Sequence, residues 1–139
     1  MEKLKKFSSP ILRIGISIVF LWFGVNQIVE PNSYIGFLPD WLTGMSPVSP
    51  MTIVYLNGLF EIIFGTALLF GLYTRFVALL LFLHMADITF TVGFDAIGVR
   101  DFGITIASLV VWLNGYDFLT LDSYIKGTNS NTEVPPRQN

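Results

Sequence analysis

Four long apolar segments, separated by short stretches that carry most of the prolines and charges, dominate the pattern along the chain. They run at about 10–29, 51–72, 75–94 and 102–119. A run of roughly 20 apolar residues matches the thickness of a bilayer core when it is wound as a helix. The pattern therefore predicts an all-α integral membrane protein built as a bundle of four transmembrane helices.

Local signals place the boundaries of this bundle. Pro50 stands where a helix can begin without losing a hydrogen bond, and Gly71 marks the end of the same helix. A turn of a few residues then predicts that the third helix lies antiparallel beside the second. We expect one domain over 1–125, an outer loop over 30–50 and a flexible polar tail over 126–139. The basic start followed by an apolar run resembles a signal peptide, but no small-residue cleavage motif follows it, so we interpret it as a retained first helix.

The distribution of Lys and Arg predicts the orientation. Cytoplasmic loops are enriched in these residues, and seven of the eight fall on the side of the two termini. We therefore expect both termini in the cytoplasm and residues 30–50 outside, in a protein of the cytoplasmic (cell) membrane. The seven are Lys3, Lys5, Lys6, Arg13, Arg75, Lys126 and Arg137, against Arg100 on the other side.

Composition supports the membrane assignment and excludes several functions. Hydrophobic residues make up 53% of the chain and charged residues 13%, against about 25% charged residues in an average protein. A net charge of −2 and the lack of a basic stripe argue against nucleic acid as a partner. The chain has no cysteine, so it has no cysteine-ligated metal centre, and any redox role requires a bound cofactor or a partner.

Three ionisable residues inside the predicted helices are the strongest candidates for chemistry. A charged side chain costs about 2.5–3.5 kcal/mol at the middle of a bilayer, so each needs a reason to be there. Glu61 lies near the middle of the second helix, while His84 and Asp87 share one face of the third. We expect these three to act together, and to contribute catalysis through proton exchange.

Other polar residues are expected to complete a pocket that opens outward. Asn57 and Gly65 continue the stripe that contains Glu61, and Asp101 begins an interior seam on the fourth helix, followed by Thr105, Ser108 and Trp112. The predicted ligand-binding residues are Asn26, Gln27, Asn57, Arg100 and Asp101.

Simpler interpretations stand beside these. Glu61 can serve only to fasten two helices, paired with His84, and Asp101 can serve only as a helix cap. A carboxylate-rich metal site at Glu61, His84 and Asp87 has no clear spacing logic, and we predict no metal. The aromatic residues of the outer loop suit either a moving lid or a belt at the level of the lipid headgroups.

The residues also indicate a family. The stretches LRIGISIVFLWFGVNQI and NGLFEIIFGTALLFGLYTR, with RDFG at 100–103, resemble the DoxX-like membrane proteins. The resemblance covers most of residues 10–119. It implies a four-helix membrane subunit associated with quinone-linked redox chemistry, including thiosulfate oxidation, and with soluble redox enzymes. The candidates that it carries over are Asn26, Gln27, Glu61, Arg100 and Asp101.

These expectations combine into one functional hypothesis with two alternatives. The hypothesis is a quinone-linked oxidoreductase subunit, in which Glu61 exchanges protons with His84 and Asp87 as relay and Arg100 attracts an oxoanion of sulfur. Its partners would be the lipid bilayer, quinone and a second redox subunit or soluble enzyme. The first alternative is a non-enzymatic assembly or scaffold subunit. The second is a small transporter, which would have to form a homo-oligomer because no internal repeat is visible.

Overall fold

The computed structural model describes residues 6–93 and 95–130. These residues form helices and connecting turns, and no strand occurs among them. The helices are α1 Ser8–Val29, α2 Asn32–Ile35, α3 Asp40–Met45, α4 Pro50–Phe70, α5 Thr74–Val92, α6 Ala96–Asn114 and α7 Leu121–Ser130.

Four of the helices, α1, α4, α5 and α6, are long and apolar enough to cross a membrane. Their outward surfaces agree with this assignment, because large apolar side chains are exposed there. Trp22 is 68% exposed, Phe90 80% and Leu113 60%. Contiguous apolar surface of this extent is not stable in water and fits contact with lipid. The predicted all-α architecture with four transmembrane helices is confirmed.

The second predicted helix has the expected boundaries, and local chemistry explains them. Ser49 accepts a hydrogen bond from the backbone N–H of Thr52 at 3.2 Å, and Pro50 occupies the first turn. Gly71 ends the helix in the left-handed conformation, at φ 69° and ψ 44°. A residue with a Cβ is disfavoured there.

The fourth helix differs from its predicted boundaries. It begins at Ala96 and ends at Asn114 rather than running over 102–119. Asp95 sets the start, because its side chain accepts hydrogen bonds from the N–H groups of Ile97 and Gly98 at 2.9 and 2.8 Å. The interpretation of Asp101 as the cap of this helix is therefore wrong.

The chain also continues as a helix where a flexible tail was predicted. Residues 126–130 belong to α7, which therefore extends past the predicted boundary at 126. Residues 131–139, Lys3, Lys5 and Arg137 lie outside the described residues, as does Phe94 at the predicted end of the third helix. Among the described residues, α5 ends at Val92.

The bundle is assembled from two closely packed pairs, α1 with α4 and α5 with α6. The pair α4 and α5, joined by the short turn, makes a looser contact. Glycines bring α1 and α4 together. A Cβ on Gly24 would lie 2.8 Å from the carbonyl oxygen of Gly58, and a Cβ on Gly58 would lie 2.8 Å from that of Gly24. Small residues of this kind allow close backbone approach between membrane helices.

The two ends of the bundle differ. The end that carries residues 30–49 is called the loop end, and the end that carries Lys6 and α7 is called the terminal end. At the terminal end, buried Arg13 donates to Asp117 at 2.8 Å and to the carbonyl oxygen of Leu68 at 2.8 Å. Arg13 thereby satisfies carbonyls at the end of α4, which otherwise lack intrahelical partners.

The hydrophobic core lies in the terminal half of the bundle. It consists of Ile16, Phe20, Leu68, Val77, Ala78, Leu81, Met85 and Val111. Phe20 and Met85 also border the cavity described below. The core therefore closes that cavity on the side of the terminal end.

Candidate functional site

A cavity of about 430 Å³ occupies the loop half of the bundle. It is bordered by all four long helices and by the segment between α1 and α4. This volume falls in the range of about 300–1,000 Å³ that is usual for small-molecule sites. We call it the loop-end cavity.

Almost all of the predicted site residues border this one cavity. They come from four different helices, so the sequence pattern correctly identified residues that converge in space. Those at the cavity are Asn26, Gln27, Asn57, Glu61, Asp87, Arg100 and Asp101. His84 is the exception, and it reaches the cavity only through its contact with Glu61.

A closed cluster of one carboxyl group and two amides forms the inner polar wall. Gln27 donates from Nε2 to Glu61 Oε2 at 2.9 Å. Asn57 donates from Nδ2 to Gln27 Oε1 at 2.6 Å and to Glu61 Oε1 at 3.2 Å. Glu61 and Gln27 are 3% and 5% exposed. Burying a carboxyl group is costly unless it is hydrogen-bonded, and this cluster supplies those bonds.

The glycine contact between α1 and α4 positions this cluster. Gly24 lies one turn before Gln27, and Gly58 lies one turn before Glu61, so the closest approach of the two helices falls directly beside the two side chains. A Cβ on Gly58 would also come within 2.9 Å of Gln27 Cβ. Without the glycines, the backbones could not approach closely enough for the short amide and carboxyl side chains to meet.

His84 contacts Glu61 from outside the cavity. Its Nε2 lies 3.4 Å from Glu61 Oε1, and its ring packs on Phe60 with a centroid distance of 4.6 Å. The His84 side chain is 17% exposed. Depending on the tautomer, Nε2 donates to the carboxylate or accepts from the protonated carboxyl group. Glu61 therefore has the cavity on one side and the His84 imidazole on the other.

Asp87 and Asn26 border the cavity without joining the cluster. Asp87 is exposed, and it makes no hydrogen bond or ion pair with any residue in the described ranges. Asn26 donates to the carbonyl oxygen of Trp22 in its own helix at 2.7 Å. The shared helical face of His84 and Asp87 therefore does not bring both to Glu61.

Arg100 and Asp101 form an ion pair on α6. Arg100 Nε and Nη2 lie 2.8 and 2.7 Å from Asp101 Oδ1, and Asp101 is 2% exposed. The guanidinium group also lies over the ring of Phe23, 4.7 Å from its centroid. These contacts hold the Arg100 side chain against α1 and offset its charge.

The predicted interior seam of α6 is buried as expected for its polar members. Thr105 and Ser108 are 6% and 0% exposed, and the hydroxyl of Thr105 lies 3.1 Å from that of Thr89 on α5. Each hydroxyl also bonds to a carbonyl of its own helix. The Thr89–Thr105 contact joins α5 to α6 at the level of the cavity, because the neighbouring Ile88 and Ile104 border it.

The loop between α1 and α4 forms part of the cavity wall. Tyr34, Phe37 and Trp41 border the cavity, although Trp41 is also 65% exposed. Burial and, after it, the nearby charge of Glu61 raise the pKa of Tyr34. Its hydroxyl therefore stays protonated and can donate a hydrogen bond at neutral pH. The aromatic residues of the loop thus contribute directly to the site.

Sequence reasoning missed one feature that organises the site. Gly24 and Gly58 were not recognised as a contact, although each stands one turn before a polar residue of the same stripe, and that spacing was visible. The pairing of His84 with Glu61, in contrast, was expected from their comparable depth in the second and third predicted helices, and the two side chains lie 3.4 Å apart. Among the described residues, no group of three or more His, Asp or Glu side chains is arranged to hold a metal ion.

Comparison with protein families supports the resemblance seen in the sequence. The family model described as DoxX matches residues 9–93. This range includes α1, the loop, α4 and α5, whereas the RDFG stretch at 100–103 lies beyond it. Comparisons with curated proteins and with solved structures find no match. Since the family model covers more than half of the chain, this multi-pass membrane protein belongs to the DoxX family.

Proposed function

We propose that this DoxX-family protein is a membrane subunit that binds quinone in the loop-end cavity and exchanges protons at Glu61. One observation carries the proposal. A buried carboxyl group, held by Gln27 and Asn57, faces a cavity with largely apolar walls and contacts His84 on its other side. The link of the family to quinone-related redox function in membranes supports the same assignment.

The residues present fit a quinone. Its ring and isoprenoid tail are apolar, and the cavity walls include Phe20, Phe23, Ile53, Val54 and Ile104. Its two carbonyl oxygens accept hydrogen bonds, which the Tyr34 hydroxyl and the N–H of Gln27 that does not bind Glu61 can donate. A quinone supplies a two-electron, two-proton couple when bound.

The chain contributes positioning and proton exchange. Asn57 and Gln27 fix the orientation of the Glu61 carboxyl group, and Asn57 and Asn26 orient the ligand. Glu61 takes up or releases a proton toward the cavity, and His84 restores it by exchange across the 3.4 Å contact. We also assign Asp87 to proton supply, as an exposed carboxylate at the same cavity.

Orientation in the membrane is part of the proposal. Lys6, Arg13, Arg75 and Lys126 all lie at the terminal end, whereas Arg100 lies at the loop end. Because cytoplasmic ends are enriched in basic residues, we assign the terminal end to the cytoplasm and the loop end to the outside of the cell membrane. The loop-end cavity then opens outward.

A partner must supply or receive the electrons. The chain has no cysteine, so it cannot carry a thiolate-ligated cluster or a dithiol relay. We propose that a second redox subunit or a soluble enzyme provides this step. If the chain serves the oxidation of a sulfur compound, as the resemblance implies, that compound is oxidised by the partner.

A scaffold subunit is the second candidate, and the cluster itself favours it. Both oxygens of Glu61 and both ends of the Gln27 amide are engaged within the protein. Such a cluster stabilises the contact between α1 and α4 without any ligand. In that case the carboxyl group is a fastening element and not a proton donor.

Glu61→Gln separates the two candidates, because it keeps the shape and hydrogen-bonding capacity of the side chain and removes its acid–base chemistry. We expect the variant to fold, since one interhelical hydrogen bond in a membrane protein contributes about 0.6 kcal/mol. We expect quinone turnover in membranes to fall roughly a hundredfold or more. Asp40→Asn is the matched control, because Asp40 is exposed in the segment between α1 and α4 and does not border the cavity.

The measurement is quinone reduction by membranes that contain wild type or variant at matched amounts, with thermal unfolding of each purified protein in detergent. Normal turnover by Glu61→Gln would refute the proton role. A loss of turnover that is matched by a loss of folding would favour the scaffold.

A further inference from the structure

The balance of charge around the loop-end cavity is negative. Besides Tyr34, whose hydroxyl is protonated at neutral pH, the ionisable residues at its border are four carboxylic acids, Glu30, Glu61, Asp87 and Asp101, and a single guanidinium group, Arg100. The other Lys and Arg residues in the described ranges lie at the terminal end, where Arg13, for example, is bound to Asp117. An anion that enters the cavity therefore meets an excess of negative charge.

Arg100 does not offset this excess, because Asp101 already neutralises it. The two side chains are joined through Nε and Nη2 at 2.8 and 2.7 Å, and the guanidinium plane is placed over Phe23. The Arg100 side chain is 49% exposed, so an anion can still reach its unused N–H groups. The charge of the pair as a whole is nevertheless zero.

The protonation state of Glu61 does not change the sign. If Glu61 holds a proton or shares one with His84, Glu30 and Asp87 still contribute two negative charges at the cavity. Both residues are exposed, and no hydrogen bond or ion pair to a cation within the described chain offsets either charge.

We propose that the loop-end cavity selects ligands whose head group carries no negative charge and excludes oxoanions, with Glu30 and Asp87 as the residues that determine this selection. The proposal rests on the proposed function, since it specifies the ligand of the same site. It replaces the expectation that Arg100 attracts an oxoanion of sulfur. The oxoanion that donates electrons in any sulfur oxidation binds elsewhere, and the cavity receives the neutral quinone.

The test uses the full chain in nanodiscs of uncharged phosphatidylcholine. Binding of a short-chain ubiquinone analogue is followed by quenching of tryptophan fluorescence, with sodium thiosulfate added against sodium chloride of equal ionic strength. We expect thiosulfate to have no effect beyond that of chloride on wild type. In Glu30→Gln/Asp87→Asn, we expect thiosulfate to compete, with an affinity raised roughly tenfold. Glu2 and Glu133 lie far along the chain from the cavity residues, and Glu2→Gln/Glu133→Gln, which removes the same two charges, is the control for net charge.

A second measurement tests the charge selection independently of the proposed function. Thiosulfate binding is measured directly by calorimetry on the same proteins. If the quinone analogue does not bind to wild type, the proposed function fails, but the charge selection is still read from the calorimetry. Binding of thiosulfate to wild type that disappears in Arg100→Gln would overturn the selection. Failure of the double variant to admit thiosulfate in either measurement would also overturn it.

Discussion

Two glycines determine the position of Gln27 and Asn57 relative to Glu61. A carboxyl group in a membrane helix is tolerated only if hydrogen bonds reach it, and Gln27 and Asn57 have short reach. Gly24 and Gly58 remove the side chains that would hold α1 and α4 apart, with their Cβ positions 2.8 Å from opposing carbonyl oxygens. The polar cluster therefore depends on two glycines, which have no polar side chain of their own.

Gly24→Ala and Gly58→Ala are expected to destabilise the bundle. Each added methyl group overlaps the opposing backbone, and overpacking of this kind costs about 1–3 kcal/mol. The controls are Gly15→Ala and Gly103→Ala, because a Cβ at either position meets nothing within 4 Å. These controls are expected to be neutral or to stabilise by up to about 1 kcal/mol through helix propensity. Unfolding in detergent measures all four, and equal stability of the two pairs would contradict the close-contact account.

At the residue scale, the sequence identified the polar residues of the site but not all of the contacts that long-range packing creates. Glu61 and Asn57 were recognised from their spacing on one helix, and both belong to the cluster. Arg13 was counted only as a basic residue of the cytoplasmic side, yet it is buried and bonds to the end of α4 and to Asp117. The contact between Arg13 and Asp117 joins residues 104 positions apart, so no local sequence pattern could indicate it.

At the scale of elements, apolar runs predicted the transmembrane helices, and capping residues decided their ends. Ser49, Pro50 and Gly71 are strong local signals, and α4 lies where they predict. The start of α6 was placed too late because the pair Arg100–Asp101 resembles a helix start, whereas Asp95 is the residue that caps it. The helix α7 was missed because its ten residues are too few and too polar for a transmembrane segment, although Leu121, Tyr124 and Ile125 follow helical spacing.

The helix α7 has a structural role at the terminal end. Its residue Asp122 caps the start of α5 from a distance, accepting from the N–H groups of Tyr73 at 2.8 Å and Thr74 at 2.7 Å. The Thr74 hydroxyl donates to the same carboxylate at 2.7 Å. Burial alone would raise the pKa of Asp122, but these hydrogen bonds and the charge of Lys126 outweigh it, so the pKa lies below the ordinary value of 3.8.

This lowered pKa predicts the pH dependence of the cap. Because the folded protein holds the proton less tightly than the unfolded chain, the contribution of Asp122 is fully present above pH 3.8 and is lost as the pH falls through the lower folded value. Asp122→Asn should lower stability by about 1 kcal/mol near neutral pH. The difference in melting temperature between wild type and variant should disappear under acid conditions. A constant difference at every pH would show that the carboxylate charge does not contribute.

At the scale of the whole molecule, the two halves of the bundle contain different features. The terminal half contains the apolar core and the Arg13–Asp117 contact, and the loop half contains the cavity. The convergence of polar residues in one half was predicted from their depth along four helices. The pairing of α1 with α4 and of α5 with α6 was not predictable, because every long helix is apolar on most faces and the short turn favoured α4 with α5.

The orientation of the bundle is testable because the chain contains no cysteine, so any introduced cysteine is unique. Single cysteines at Ser8 and Asn129 are expected to react with an impermeant reagent only from the cytoplasm. One at Ser46 is expected to react only from outside, because of the basic residues at the terminal end. Labelling of Ser46→Cys from the cytoplasm would show that the orientation is the reverse of the proposed one and that the cavity opens toward the cytoplasm.

Photolabelling with an azido-quinone determines whether the loop-end cavity is a quinone site. The reagent is applied to the full chain in nanodiscs, and labelled peptides are mapped by mass spectrometry with and without excess unlabelled quinone. We predict protectable labelling of Tyr34, Trp41 and Met85, which border the cavity, and no protectable labelling of Trp22 and Phe90, which face outward and are 68% and 80% exposed. Labelling confined to those outward residues, with no protection by quinone, would show that the loop-end cavity is not the quinone site.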